Sequence, residues 1–226
     1  MLIISATDEW RTAHPGAVIG LLELSGVENV HPSSQLDERK RETEARLRER
    51  YLGFTRKDFL SLPVMSAYDQ YYKRFNKTYH VQLQVESIVL KGKSLPNVSP
   101  LVDSNFAAEV ETLVLTAGHD VAKLHGSISM DVSREGDQIA QMNGETKAIR
   151  AGDMIMRDSV GICCSIIYGQ DNRSPISSAT THVLYVAYAP VGVSAEMVNS
   201  QLQNIEENIR LFSPTAVMEL RQLLSA

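Results

Sequence analysis

The sequence predicts an α+β fold, mainly antiparallel sheet packed with helices. Two observations carry this. Between residues 127 and 189, short alternating segments are separated by turn residues, and on either side of that region apolar residues recur at helical spacing. The strands are Ser127 to Ser133, where Ile128, Met130 and Val132 alternate, Gln138 to Met142, Thr146 to Ile149, Met154 to Met156, Gly161 to Tyr168 and His182 to Ala189. Glu135-Gly136-Asp137, Asn143-Gly144 and Gly152-Asp153 supply the turn chemistry between them.

Before this region, residues 2 to 30 read as strand-rich. Leu2 to Ile4 is a short apolar segment, and Ala17 to Leu24 is a continuous apolar run between Pro15-Gly16 and Gly26, as expected of a central strand. Ser34 followed by Asp37 predicts a capping box opening a helix to about Tyr51, with Gly53 ending it. Glu42 with Arg46 and Glu44 with Arg48 stand at the favourable four-residue spacing. Arg39, Lys40, Arg41, Arg46, Arg48 and Arg50 interleave with acids along this helix, which makes it a solvated, salt-bridged face rather than an RNA-binding one. Tyr68, Tyr71, Tyr72 and Phe75 share a helical face, a pattern that core packing explains better than base stacking.

His80 to Leu90 satisfies two periods. Val81, Leu83 and Val85 alternate as in a strand, whereas Val81, Val85, Ile88 and Val89 fit a helix that Gly92 would stop. From Asn105, a helix is predicted with Phe106, Val110, Leu113, Val114 and Ala117 on one face, Ser104 or Asn105 as its cap and Gly118 as its left-handed stop. An amphipathic helix capped by Ser194 carries Val198, Leu202, Ile205, Ile209 and Phe212, and a last helix is predicted from Ser213-Pro214 onward. No stretch is long or biased enough to be a linker, so one domain over residues 1–226 is expected, its core at about 68–190 and its terminal helices at 194–226.

At 226 residues and 43% hydrophobic, the chain can bury one good core. It has no run of the roughly 18 apolar residues that a membrane span needs, and no basic segment before its first apolar stretch. A cytoplasmic protein without a membrane partner is expected. Cys163 and Cys164 are adjacent, so on a strand they point to opposite faces and are read as reduced thiols. No metal-ligand spacing and no cofactor motif stands out, and there is no Gly-x-Ser-x-Gly, phosphate-binding loop or His-Glu-x-x-His. A net charge of −5 excludes a broad nucleic-acid-coating surface and leaves room for brief contact with the end of a tRNA, with no DNA partner expected.

Several motifs occur in a fixed order: Tyr72-Lys-Arg-Phe-Asn-Lys77, Leu90-Lys-Gly-Lys-Ser-Leu-Pro96, Pro100-Leu-Val-Asp103, Gly169-Gln-Asp-Asn-Arg-Ser174 with Ile176, and Thr180-Thr181-His182. The arrangement resembles the freestanding relatives of the B3/B4 domain of the phenylalanyl-tRNA synthetase β subunit, over roughly Tyr68 to Phe212. In the synthetase that module hydrolyses wrongly attached amino acids. The resemblance therefore implies a B3/B4-like fold, an aminoacylated tRNA 3′ end as partner and an editing hydrolase acting in trans. A non-catalytic module binding tRNA ends or an amino-acid-like molecule is the alternative.

The resemblance also proposes site residues. Asp103 and Asn105 correspond to a Val-Asp-x-x-Asn pattern beside the substrate pocket, with the Asn here one place early; helix capping explains the same residues equally well. His119 stands where the family has a His that contacts the substrate, although this segment is two residues shorter, and a structural histidine in a tight turn is the competing reading. Gln170, Arg173 and Ser174 match the Arg-Gln-x-Asp-Arg-Thr loop, while Asn172 replaces its Asp. Asp171 or Asn172 would then take the part of the Glu that recognises the amino acid in the synthetase. Arg173 suits a phosphate or carboxylate, though six polar residues between strands also describe a surface turn. Thr181 lies in the family's Thr-x-Asn, where a hydroxyl would orient a water or merely begin a strand.

Asp171, Asn172, Thr181 and His119 are thus the catalytic candidates, and Asp103, Asn105, Gln170, Arg173 and Ser174 the substrate-binding ones. Deacylation is attack of water on an activated ester, which positioning and oxyanion stabilisation can drive without a strong base.

Overall fold

The computed structural model describes residues 2–30 and 33–226. One sheet has the strand order β1 (Ile4–Ala6), β4 (Ile128–Val132), β7 (Met154–Arg157), β8 (Ile162–Ser165) and β9 (Gly169–Gln170). A second has the order β11 (Val217–Ser225), β2 (Val18–Ser25), β10 (His182–Ala189) and β3 (Thr116–Asp120), and a separate hairpin pairs β5 (Gln138–Ala140) with β6 (Thr146–Ala148). β1 runs parallel to β4, and the pairings are otherwise antiparallel. The helices are α1 (Asp8–Ala13), α2 (Ser34–Arg50), α3 (Arg56–Ser61), α4 (Pro63–Lys73), α5 (His80–Lys91), α6 (Pro100–Thr112) and α7 (Ala195–Arg210). No helix among the described residues is long and apolar enough to cross a membrane.

The apolar run of β2 is buried along nearly its whole length, as is that of β10 beside it, which is what a strand covered on both faces requires. Gly20 explains how α7 reaches this sheet. A Cβ there would lie 2.5 Å from Val198 Cγ1 and 3.2 Å from Leu202 Cδ1, so the missing side chain is the space the helix occupies. The aromatic stripe of α4 is core, with Tyr68, Tyr71, Tyr72 and Phe75 all buried. Tyr68 stacks on Tyr79 at 4.1 Å, donates 2.7 Å to Tyr188 O and accepts 3.0 Å from Leu115 N–H, tying α4 to β10 and to the approach to β3.

The segment that satisfied two periods is helix α5, the choice the B3/B4 resemblance favours, with Gly92 at φ 65° as its left-handed stop. Other sequence expectations are corrected. α2 is capped by Ser33, whose side chain accepts from Leu36 N–H, and not by Ser34. Arg48 pairs with Glu44 at 3.3 Å, but Arg46 reaches across to Glu111 instead of Glu42. α6 begins at Pro100, in the position where a missing N–H costs nothing, so Asp103, Ser104 and Asn105 sit inside the helix and do not cap it. The helix ends at Leu113, itself at φ 65°, while Ala117 and Gly118 belong to β3. Residues 217–225 form the strand β11, not a helix. Unpaired backbone along β2 offers them a ladder, and a bulge at Glu219 absorbs their imperfect alternation. The short helices α1 and α3 carry too little periodicity to be read from the sequence.

Candidate functional site

α6 faces the edge strand β3, and the β8–β9 hairpin approaches from the other sheet. Between these elements, with α5 on one side and two tyrosines of β10 behind, lies a cavity of about 490 Å³. Its walls are mostly apolar, including Val102, Phe106, Leu115, Ile166, Ile176 and Tyr185. Gly118 makes this closure possible, since a Cβ there would meet Ile176 Cδ1 at 2.6 Å and Tyr185 Cε1 at 3.0 Å. Polar groups are few: Asn105 and Glu109 from α6, His80 and Gln84 from α5, Ser165 and Gln170 from the hairpin, Thr116 from β3 and Tyr188 from β10.

Of the residues chosen from sequence, Asn105 and Gln170 line this cavity. Asn105 donates 2.9 Å to Thr116 O, holding α6 against β3. Gln170 Nε2 donates 2.8 Å to Gly118 O and lies within 3.0 Å of His119 Nδ1 and 3.2 Å of Ser174 O, which fixes its side chain across the end of β3.

Behind Gln170 lie His119, Ser174 and Asp171, all buried. Ser174 Oγ donates 2.5 Å to Asp171 Oδ1, and the His119 Nδ1 contact to the same hydroxyl is 2.8 Å. The serine proton is committed to the carboxylate, and the same His119 Nδ1 lies 3.0 Å from Gln170 Nε2, so the ring nitrogen is wedged between the hydroxyl and the Gln170 amide. These are the residue types of a hydrolytic triad in an arrangement that cannot act as one. The hydroxyl sits between acid and imidazole and Ser174 is fully buried; burial, with Arg173 nearby, also lowers the His119 pKa to about 3. The trio is a brace for the Gln170 turn. His119 stands in the middle of β3, paired with Leu184, and not in a turn.

The remaining candidates are placed elsewhere. Asp103 is buried against Lys40, 2.7 Å away, and accepts 2.9 Å from Val98 N–H, which joins α2 to α6; Lys40 thereby leaves the solvated face expected for α2. Arg173 closes on Asp158 with two bonds of 2.6 and 3.1 Å. Burial works to raise the Asp158 pKa, but the Arg173 bonds and the N–H groups of His125, Val160 and Gly161 outweigh it and bring it to about 2. Asn172 is exposed with its N–H on Ala140 O, and Thr181 is exposed with its carbonyl accepting from Val27 N–H. Neither lines the cavity. Its neighbour Thr180 is buried and donates 2.9 Å to Asp120.

Six polar cavity residues were not singled out from sequence: Glu109, His80, Gln84, Thr116, Ser165 and Tyr188. Glu109 is buried, its Oε1 accepting 2.7 Å from Thr116 N–H, and burial pushes its pKa up to about 8. Glu109 stands four residues beyond Asn105, and that spacing on a helix was the available signal. Cys163 and Cys164 are free and buried, and burial raises both thiols to about 12, so neither is a nucleophile at neutral pH. No cluster of His, Cys, Asp or Glu among the described residues is arranged to hold a metal ion.

A family model described as the B3/4 domain matches residues 66–208. The chain belongs to the B3/4 domain family. The matched segment runs from α4 through most of α7 and contains every cavity residue named above. Among solved structures, this B3/4 protein is similar to an N-terminal fragment of the phenylalanyl-tRNA synthetase β subunit from Pyrococcus horikoshii, at 8% identity and a TM-score of 0.49. That match covers 100% of this chain and 55% of the other, so the B3/4 protein spans little more than half of the fragment's length. No curated protein matched the sequence.

Proposed function

We propose that this B3/4 protein receives the aminoacylated 3′ end of a tRNA and hydrolyses the ester, the aminoacyl group entering the cavity while the ribose and phosphates stay at its mouth. The observation that carries the reading is the character of the cavity. It offers about 490 Å³, within the usual range for small-molecule sites, with apolar walls, fixed amides and no Lys or Arg in its lining. Such a surface takes an amino-acid side chain and repels a phosphate. Membership of the B3/4 family supports a tRNA as the carrier. Gln170 and Asn105 would hold the ester and its attacking water, and catalysis would come from positioning rather than from a strong base.

The test is release of labelled amino acid from a panel of mischarged tRNAs. Wild type should deacylate at least one of them, and Asn105→Ala and Gln170→Ala should each slow release at least about tenfold while keeping a cooperative melt. Absence of release from the whole panel would end the hydrolase reading.

A second reading has its own support. The imidazole nearest the turn is buried and neutral, and the arginine of the turn is shut on Asp158. A module that binds an aminoacyl end without cleaving it would show ligand-induced stabilisation and no turnover.

A further inference from the structure

We propose that Glu109 is the docking point for a protonated amine, so that the cavity selects ligands carrying an ammonium group. This rests on the reading of the cavity as an aminoacyl site and adds to it the group by which the ligand is held. The argument starts from unmet hydrogen-bonding capacity. Asn105 Oδ1 and Gln84 Oε1 are buried without a partner, the Tyr188 hydroxyl has only the Cys164 thiol to turn its proton to, and all three residues line this cavity. Asn105 is 94% buried and Tyr188 99%. Two of these atoms are carbonyl oxygens that can only accept, and a phenol oxygen can accept as well. Unpaired buried polar atoms are uncommon and costly, so two carbonyl oxygens and a phenol oxygen with accepting capacity left around one cavity describe the ligand they lack: it must bring donors. An ammonium brings three and no acceptor.

Glu109 supplies the countercharge. Thr116 N–H occupies its Oε1, and the residue borders the cavity one helical turn beyond Asn105. The titratable groups packed around it are His80 from α5, Tyr68 and Tyr72 from α4, Tyr79 at the start of α5, Cys164 from β8, and Tyr185 and Tyr188 from β10. Burial holds the phenols and the thiol toward their neutral forms, and partial desolvation lowers the His80 pKa although the residue keeps an exposed face. Among the described residues no Lys or Arg lines the cavity, so a countercharge for the carboxylate has to arrive with the ligand. Without one, burial keeps Glu109 protonated at neutral pH. On docking, the carboxylic acid and the ammonium become a carboxylate–ammonium pair, and the proton of Glu109 leaves to solvent.

Titration calorimetry of the full chain at pH 6.5 tests this in two buffers of different ionisation heat. The probes are the non-hydrolysable amides of alanine, leucine and phenylalanine, each beside its counterpart lacking the amine: propanamide, 4-methylpentanamide and 3-phenylpropanamide. At least one amino amide should bind tenfold or more tighter than its counterpart and release close to one proton. Glu109→Gln imitates the protonated acid in shape, so it should melt normally, bind both members of that pair alike and release no proton. Equal binding of the two members by wild type would overturn the inference and leave the aminoacyl-site reading standing. Discrimination without proton release, or discrimination that survives in Glu109→Gln, would also overturn it. Binding of none of the six would overturn both.

Discussion

At Arg173 two short hydrogen bonds to Asp158 decide what the side chain is free to do. Asp158 is fully buried at its side chain and Arg173 largely so, and opening the pair to reach an external phosphate would strand the carboxylate among backbone N–H groups. Replacing Arg173 with Ala should therefore destabilise the fold by about 2–3 kcal/mol, somewhat under the cost of breaking a wholly buried pair because the guanidinium keeps some solvent contact. Urea denaturation reads this directly, and a stability within about 0.5 kcal/mol of wild type would mean that the fork is free after all. Activity lost in that variant would report lost structure, which makes Asn105 and Gln170 the better probes of the cavity. Gln170 was legible because it matches the polar loop of the B3/B4 relatives, whereas the polar run alone read equally as a surface turn. Glu109 was not legible, because an acid in a helix ordinarily marks the solvent side, and only the fold reveals that α6 is covered all round.

Element boundaries were legible where a single residue type forces the backbone. Gly92 stops α5 and Ser194 caps α7, as the sequence indicates. They were illegible where a neighbour decides. Leu113 takes a left-handed conformation that its residue type disfavours, and Tyr79 donating 2.9 Å to its carbonyl helps to hold it there. The stretch from Val217 to Ser225 has enough leucine and arginine to read as helix, and becomes a strand because β2 leaves an edge to pair with. Contact between elements gives a sharper test than boundaries do. At Gly20 the helix α7 approaches β2 more closely than any side chain would allow, so Gly20→Ala must push Val198 and Leu202 outward. The expected loss is about 1–3 kcal/mol, the range for overpacking a filled core. It should appear as a lower denaturation midpoint with an unchanged slope. A neutral substitution would show that α7 is loosely seated.

Across the whole molecule, the buried titratable groups set opposing pH dependences. Burial lowers His119 to about 3 and, helped by Arg74, His14 to about 4, from an ordinary 6.5. The unfolded chain takes up these protons first, so their contribution to stability is whole above pH 6.5 and is lost as pH falls toward those values. Burial raises Glu109 from 4.5 to about 8 and Asp153 from 3.8 to about 6, so for these the folded chain keeps the proton longer and stability is lost as pH rises across each interval. Between about pH 4.5 and 6 the lowered histidines, His80 among them, and the two raised carboxyls oppose one another, which predicts a shallow pH dependence there. Below that range, His119 acts together with Asp158, whose pKa is held at about 2, and stability falls. Between pH 6.5 and 8 Glu109 acts without the others, and one retained proton costs up to about 2 kcal/mol over that interval. Glu109→Gln cannot ionise, so its melting temperature should stay level from pH 6.5 to 8 while that of wild type declines. Parallel curves for the two proteins would mean that Glu109 is already ionised in the folded chain, and the acidic group responsible for any decline would have to be sought elsewhere.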